Sequence, residues 1–392
     1  MKGGLPMINV AIIGTGAISG IYLQNIHDIF KDVRIIGVCD MVPERARAAQ
    51  ASYHIPKLYP SMHEAFADPE VQVVLNLTRP YEHFDVTKAA LEAGKHVYSE
   101  KPLAADFEEG KALTELAVRN QLRLGGAPDT FMGAGIQSCR KLIDDGWIGE
   151  PIGAACFMIC RGHETWHPDP EFYYKRGGGP MLDMGPYYIT AIINLLGGIS
   201  GVSGVVRKNF QERIITSQPH YGETIKVDVP THIHGIIHFD SGITGSILTT
   251  FDVHYAPRNQ PRFEVYGSKG TLIVPDPNTF GGPLFLFRPE DQITEKAVDY
   301  GLMGHATGME GYKSIPLMFS YAANSRGLGL ADMCRALETG RPMRPDWTQT
   351  LHVLEILTAF EKSSEQKAYL PLQTHYTRSA PMTNHTLYRY LD

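Results

Sequence analysis

The sequence predicts an α/β protein in two parts. Residues 1–127 should form a parallel sheet covered by helices on both faces, and residues 128–392 an α/β domain around a large, open, mainly antiparallel sheet. Two observations carry this. Short apolar runs alternate with helical stretches up to Ala127, the pattern of a doubly covered parallel sheet. Beyond it, strand-like runs follow one another through tight turns, the pattern of meanders. At roughly 150 residues per domain, 392 residues suit two or three such units.

Ile8–Ile13 is the first apolar run and ends in Gly14-Thr15-Gly16, with a helical stretch from Ile18 to about Phe30. Val33–Cys39 ends at Asp40 and is followed by a helical, Ala/Arg-rich segment, Pro43–Ser52. A short run near Leu58–Tyr59, then Val71–Leu77 and His96–Ser99, read as further strands, with a helix from His83 to Ala93 stopped by Gly94. Leu122–Ala127 closes the series. A helix at about Phe131–Asp145 opens the second part, followed by strand-like runs at Ile152–Arg161, Val202–Ile215, His232–Phe239, Thr244–Val253, Arg262–Tyr266 and Thr271–Val274. Gly281–Ser320 reads as loop. Helical patterns return at Leu330–Leu337 and Trp347–Lys362, and the polar tail from Leu370 shows no clear element.

Composition narrows the function classes. Asp and Glu outnumber Lys and Arg by 42 to 36, a formal charge of −6 that repels phosphates and argues against a nucleic-acid partner. No run of ~18 apolar residues exists to span a membrane, and the N-terminus lacks the apolar core of a secretory signal. Five scattered cysteines, without a CxxC pair, argue against a disulfide framework or zinc finger and point to a reducing, cytoplasmic setting. Small neutral substrates remain.

In V-A-I-I-G-T-G-A-I-S-G (residues 10–20), Gly14 permits a tight turn after the strand and Gly16 lets backbone approach a pyrophosphate. The helix entered at Ala17 and Ile18 would aim its free N–H groups at that anion. This is the Rossmann dinucleotide fingerprint, with Ser19 standing where Gly or Ala is usual. Asp40, 24 residues after Gly16 at the end of the next strand, suits the ribose hydroxyls and would repel a 2′-phosphate, which favours NAD over NADP. Alternatively Asp40 caps the helix that follows, and Arg45 or Arg47 could admit NADP.

A later strand ends in A-G-K-H-V-Y-S-E-K-P-L. Ligands of open α/β sheets bind at this carboxyl edge, so Lys101 should face the nicotinamide, whose positive charge would lower the lysine pKa. Pro102 restricts Lys101, with a cis bond as one way of doing so. The segment is equally compatible with a surface turn holding an ion pair. In the second part, G-G-G-P-M-L-D-M-G-P-Y (residues 177–187) enters a helix whose Ile189, Ile192, Ile193 and Leu196 mark a buried stripe. Asp183 at the N-cap and Tyr187 four residues on could surround one hydroxyl, or be a cap and a packed ring.

Taken together, Gly14-Thr15-Gly16, Asp40, the Glu100-Lys101-Pro102 segment and residues 177–187 resemble the Gfo/Idh/MocA oxidoreductases over roughly residues 8–370. The resemblance implies an N-terminal Rossmann domain and a C-terminal domain whose open sheet often forms the oligomer interface, hence a homodimer or homotetramer. It implies Lys101, Asp183 and Tyr187 as the catalytic set. It also implies Gly14, Gly16, Ala17, Ile18, Asp40, Thr78, His83 and Glu100 around the cofactor. Many members carry His where this chain has Tyr187, and a phenol near pKa ~10 is a weaker base at neutral pH unless a cation lowers it.

His163, Trp166, His167 and Arg176 lie in an aromatic, polar loop before the triple glycine, a composition suited to a sugar. His232, His234 and His238 share one strand face without an Asp or Cys at helpful spacing, so a polar or interface-facing strand is expected and no metal. The expectation is an NAD-dependent dehydrogenase or reductase acting on a sugar, polyol or related cyclic alcohol. The rivals are a redox-neutral glycosidase or epimerase that retains NAD, and a non-catalytic nucleotide-sensing regulator.

Overall fold

The computed structural model describes residues 7–254, 263–291 and 311–383. The first half contains β1 (Ile8–Ile13), α1 (Ser19–Asp28), β2 (Val33–Cys39), α2 (Pro43–Tyr53), β3 (Lys57–Leu58), α3 (Met62–Ala67), β4 (Val73–Asn76), α4 (His83–Glu92), β5 (His96–Ser99), α5 (Phe107–Arg119) and β6 (Leu124–Gly126). All pairings are parallel, in the order β3-β2-β1-β4-β5-β6. The strands are near-continuously apolar because both faces are covered: Val10, Ala11, Ile12, Val73, Val74 and Leu75 are fully buried. Sheet order reverses between β1 and β4, which leaves a crevice at their carboxyl ends.

Two helices in this half were not anticipated from the sequence, α3 and α5. Both start on a side-chain cap: Ser61 Oγ accepts from Glu64 N, and Asp106 Oδ1 accepts from Glu109 N. A Ser or Asp followed three residues later by Glu is the signal that would have found them.

The second half contains α6 (Ala134–Asp144), β7 (Pro151–Ile159), α7 (Gly179–Asp183), α8 (Gly185–Leu196), β8 (Ile199–Arg207), β9 (Glu212–Ile214), β10 (Thr224–Lys226), β11 (His232–Phe239), β12 (Thr244–Thr250), β13 (Phe263–Gly267), β14 (Thr271–Ile273), β15 (Leu284–Phe287), β16 (Lys313–Ile315), α9 (Leu328–Thr339), α10 (Trp347–Gln366) and β17 (Leu370–Pro371). Among the described residues nine strands form one sheet, ordered β16-β15-β14-β13-β7-β12-β11-β8-β17. The sheet is mixed: β7 enters its middle and pairs parallel with β12, while the other pairings are antiparallel.

Two sequence expectations change here. The run 202–215 is not one strand, because the chain turns after Arg207 and β9 pairs with β10 in a separate ribbon. That ribbon is held by the loop it covers: Thr216 N and Ser217 N donate to Glu164 O, and Asp228 N donates to Tyr174 O. Gly281–Ser320, read as loop, contributes β15 and β16, which extend the sheet edge by pairing beyond β14. Its residues 292–310, like Arg262 of the predicted strand at 262–266, lie outside the described residues.

One face of the large sheet is packed under α7, α8 and α10. Every residue of α8 is buried, so its apolar stripe is wider than the four positions predicted. Each fully buried Ile there is worth roughly 1.5–3 kcal/mol over an exposed one. Helix α10 joins the halves, contacting β8 and α8 on one side and α5 and β6 on the other. The opposite sheet face is open: His232, His234, Ile236 and His238 alternate with buried Ile233, Gly235, Ile237 and Phe239. No described helix is long and apolar enough to cross a membrane.

Candidate active site

The loop after β1 is shaped for close approach of a ligand. Gly14 has φ +94°, and a Cβ there would lie 2.7 Å from Leu77 O, so neither the backbone conformation nor the space admits a side chain. Around Gly16 a Cβ position meets nothing within 4 Å among the described residues, which leave that side of the turn open. Ser19, the departure from the fingerprint, is buried and donates its hydroxyl to Gly16 O at 2.8 Å, which closes the turn from within. Ala17 is exposed and Ile18 half-buried, just ahead of α1 and its unsatisfied first-turn N–H groups.

Asp40 sits immediately beyond β2. Its Oδ2 accepts from Thr15 N at 2.6 Å and Thr15 Oγ1 at 3.0 Å, and its Oδ1 accepts from Val42 N at 2.7 Å. It does not cap α2, whose N-cap is Val42 without a side-chain bond. The carboxylate therefore ties the glycine turn to the next strand end. A positive-φ turn, open space at Gly16 and a strand-end carboxylate fit a dinucleotide.

After β4, Asn76 Oδ1 accepts from Thr78 N at 3.2 Å and Thr78 Oγ1 at 2.6 Å. His83 is buried, with Nδ1 2.6 Å from Pro102 O and Nε2 3.0 Å from Thr78 O. Both ring nitrogens thus lie against backbone carbonyls, and His83 spans two loops rather than presenting nitrogen to the cleft. Glu100 is likewise a brace: Oε1 accepts from Tyr22 Oη at 2.7 Å and Oε2 from Lys101 N at 2.9 Å. The Lys101–Pro102 bond is cis.

Lys101 Nζ reaches across to the second half, donating to Asp183 Oδ1 at 2.7 Å and Asp183 O at 2.6 Å. Asp183 is the last residue of α7, not the N-cap of α8, because Met184 separates the two helices. Its carboxylate is thereby free of a cap and accepts on Oδ2 from His163 Nε2 at 2.9 Å. Trp166 Nε1 donates to His163 Nδ1 at 3.2 Å. An indole N–H only donates, so Nδ1 accepts and the His163 proton resides on Nε2, facing Asp183.

Electrostatics lock this group. Burial would raise the Asp183 pKa, but Lys101 and the His163 hydrogen bond hold it well below the usual carboxylate range. Burial would lower that of Lys101; the charge of Asp183, then Tyr187 and Glu100, raise it instead. The lowered lysine pKa expected from a nicotinamide charge is thus opposed by the protein itself. Tyr187 is buried, which raises its pKa, while Lys101 and Arg326 pull it down without reversing that.

Arg326 was not anticipated from the sequence. It donates to Tyr187 Oη at 3.3 Å and Asn278 Oδ1 at 2.9 Å. A lone Arg in a loop before a helix carries no local signal. The same holds for Arg213, which anchors the loop of residues 160–176 from β9. Its Nε donates to Glu164 Oε1 at 2.8 Å and its Nη1 to Asp252 Oδ1 at 3.0 Å.

Of the loop residues proposed for substrate, His163 and Trp166 stand in the Asp183 network. His167 packs edge-on against Trp166, Phe172 and Tyr173. Arg176 does not join them: its guanidinium pairs with Asp106 at 2.5 Å and Glu109 at 2.7 Å, at the start of α5. Arg79 and Asp169, 2.5 Å apart, link the Thr78 loop to the aromatic loop.

Comparison with known proteins identifies the family. Residues 8–126 match a family profile described as the Gfo/Idh/MocA oxidoreductase family, NAD-binding Rossmann fold, and residues 136–273 match that family's C-terminal domain. An inositol 2-dehydrogenase of Salmonella paratyphi B is 33% identical over 169 residues, covering 42% of this chain and 48% of the relative. The matched stretch thus spans about half the length of that relative. A levoglucosan dehydrogenase of Pseudarthrobacter phenanthrenivorans is 23% identical over 359 residues, covering 85% of this chain and 88% of the relative. Among solved structures, a levoglucosan dehydrogenase in complex with NADH superposes with a TM-score of 0.75 at 21% identity, over 94% of this chain and 99% of that one. An NAD-binding oxidoreductase from Klebsiella pneumoniae gives the same score and identity over 93% and 99%. At these identities the structural likeness shows the fold.

Proposed function

The chain belongs to the Gfo/Idh/MocA oxidoreductase family, and from that premise we propose that it is an NAD-dependent dehydrogenase acting on a sugar, polyol or related cyclic alcohol, or on the matching ketone. The observation that carries the proposal is the mostly buried Lys101–Asp183 pair beside Tyr187, at the carboxyl edge of the NAD-binding sheet. A nucleotide sensor needs no such proton-handling set.

Bound at the β1–α1 turn, NAD supplies the hydride chemistry. The protein's own part is orientation, charge and proton movement. Gly14, Gly16, Ala17 and Ile18 would receive the pyrophosphate, Asp40 the ribose, and Thr78 the nicotinamide side. His83 and Glu100 brace the loops that carry Thr78 and Lys101. The Lys101 ammonium, charged because Asp183 faces it, stabilises negative charge developing on the substrate oxygen. Tyr187 exchanges the hydroxyl proton with that oxygen. Asp183 and His163 hold the lysine in place, and Trp166 and His167 offer an aromatic platform with polar edges for a ring substrate.

The open sheet face, with Val205 and Ile236 more than half or about half exposed, supports a homodimer or homotetramer built through it. Five unpaired cysteines accord with a cytoplasmic setting. The test is NADH formation, read by absorbance, from purified protein offered NAD or NADP with pools of sugars, inositols and cyclic alcohols. Turnover by wild type and none by Lys101→Ala supports the reading. Binding of NAD with no turnover in any pool would overturn it.

A further inference from the structure

We propose that Arg326 is a positioning residue for this reaction: it holds the phenolic oxygen of Tyr187 so that the phenol proton points at the substrate, and its charge favours proton release from that phenol. The inference rests on the dehydrogenase reading.

Arg326 is fixed from both sides of its backbone. Its carbonyl accepts from Asn25 Nδ2 of α1 at 2.9 Å, and its N–H donates to Asn324 Oδ1 at 3.3 Å. The next residues are pinned as well, since Gly327 N and Gly329 N donate to Asp129 Oδ2 at 2.9 and 3.1 Å. The segment that leads into α9 is thereby laid against the dinucleotide helix. From there the side chain enters the site, with Asn278 Oδ1 bonded to the same Nη2 that reaches Tyr187.

A guanidinium has donors only. Its bond to Tyr187 Oη therefore occupies a lone pair and leaves the phenol O–H to be directed elsewhere. Charged and titratable groups facing Tyr187 come from four places. Glu100 and Lys101 lie on the turn after β5, Asp183 on α7, Tyr173 on the turn before α7, and Arg326 on the segment before α9. Asp183 is occupied by Lys101 and His163, and Glu100 by Tyr22 and Lys101 N. Lys101 is paired with Asp183 and also lowers the Tyr187 pKa, with Arg326 as the second cation that does so. Arg326 makes no salt bridge among the described residues; the strongest of the negative or ionisable groups that its charge meets is the Tyr187 phenol, followed by Glu100, Tyr22 and Asp129. Its guanidinium lies 5.5 Å from the Tyr187 ring centroid and the Lys101 ammonium 5.2 Å, so two cations stand against this ring.

In the oxidative direction the substrate O–H bond breaks and its proton passes to Tyr187 Oη, while the C–H electron pair leaves with hydrogen to NAD. Asp183 favours the protonated form of Lys101, so in this reading the acceptor is the Tyr187 phenolate, which burial disfavours and the two cations favour. Arg326 raises the fraction of Tyr187 ready to do so.

The test pairs a spectroscopic titration with kinetics. Tyrosine labelled with ¹³C at the ring carbon bearing the hydroxyl reports Tyr187 ionisation by NMR, assigned by loss of the signal in Tyr187→Phe. In Arg326→Met the Tyr187 titration should move upward by a unit or more. The limb of the kcat/KM profile for alcohol oxidation should move the same way, lowering neutral-pH turnover roughly tenfold per unit. Arg326→Lys should restore part of both shifts. An unmoved titration in folded Arg326→Met, or equal loss in Met and Lys variants with no pH shift, would overturn the inference. Absence of turnover in wild type would instead overturn the dehydrogenase reading, and the NMR titration would still decide the Arg326–Tyr187 coupling.

Discussion

Lys101 and Asp183 are joined at two points, the ammonium donating to the carboxylate at 2.7 Å and to the aspartate's own carbonyl oxygen at 2.6 Å. The first residue follows β5 of the parallel sheet and the second ends α7 in the other half, so the pair exists only when the halves dock.

Breaking this pair should cost stability as well as activity. Asp183→Asn leaves the buried ammonium without its carboxylate, a loss of about 3–5 kcal/mol. The sign with pH follows from the shifts. Asp183, depressed on folding, contributes above the unfolded carboxylate value of ~3.9 and is lost as pH falls through its folded value. Lys101, raised on folding, contributes below ~10.4 and is lost as pH rises through its folded value. Denaturant melts between pH 5 and 9 should therefore show the full penalty. The double variant Lys101→Met/Asp183→Leu should lose less than the two single variants summed; strict additivity would refute the coupling.

Asp129 should act in the opposite sense. It is fully buried, and burial pushes its pKa up to about 6. Its Oδ2 receives Gly327 N and Gly329 N, while Oδ1 has no hydrogen-bond partner among the described residues. Between ~3.9 and 6 the folded state binds more protons than the unfolded one, so stability falls as pH rises through that window. The size is on the order of 2 kcal/mol. Asp129→Asn keeps the accepting oxygen and should flatten this slope in denaturant melts at pH 4.5 and 7; an unchanged slope would assign it to other groups.

Asp40 is the residue proposed for the cofactor's ribose end. Asp40→Ala removes the acceptor for Thr15 and Val42 along with the charge that repels a 2′-phosphate. NAD affinity should fall about tenfold or more, corresponding to one or two charge-assisted hydrogen bonds. NADP affinity should fall less or rise. Calorimetric titration of both nucleotides checks this, and an NAD:NADP ratio untouched by the change would remove Asp40 from the selectivity argument.

Trp166 is 60% exposed, yet its indole N–H fixes the His163 tautomer. Trp166→Phe keeps an aromatic surface but frees His163 Nδ1. If Trp166 serves as platform and His163 as support for Asp183, Trp166→Phe should change kcat more than KM, and Trp166→Ala should raise KM as well. Steady-state kinetics on the first substrate found will separate the two roles.

Val205 and Ile236 lie on adjacent strands β8 and β11, on the open sheet face. Placing a carboxylate there, as Val205→Asp or Ile236→Asp, should split an oligomer assembled through this sheet without unfolding the subunit. Light scattering after size exclusion reads the outcome; retention of the wild-type mass in both variants would locate the interface elsewhere.

Legibility in the sequence followed the range of the physics. Gly14, Gly16 and Asp40 are separated by one strand and one helix, and the turn they build is local enough for spacing to reveal it. The β1–β6 series was read from apolar runs because a strand buried on both faces is apolar throughout. The mixed character of the large sheet was not readable, since β7 pairs with β12 and β13, partners about a hundred residues away.

The sequence by itself determined the residue types that chemistry requires: a glycine turn, a strand-end carboxylate, and a lysine, aspartate and tyrosine at family spacing. Tertiary structure alone decided what each side chain does. It turned Asp183 from a cap into the acceptor of Lys101 and His163, sent Arg176 to α5, and brought Arg326 to Tyr187 from 139 residues away. The reason is that backbone preference is set by neighbours in the chain. The charge a buried group carries is set instead by whatever packing brings within a few ångströms of it.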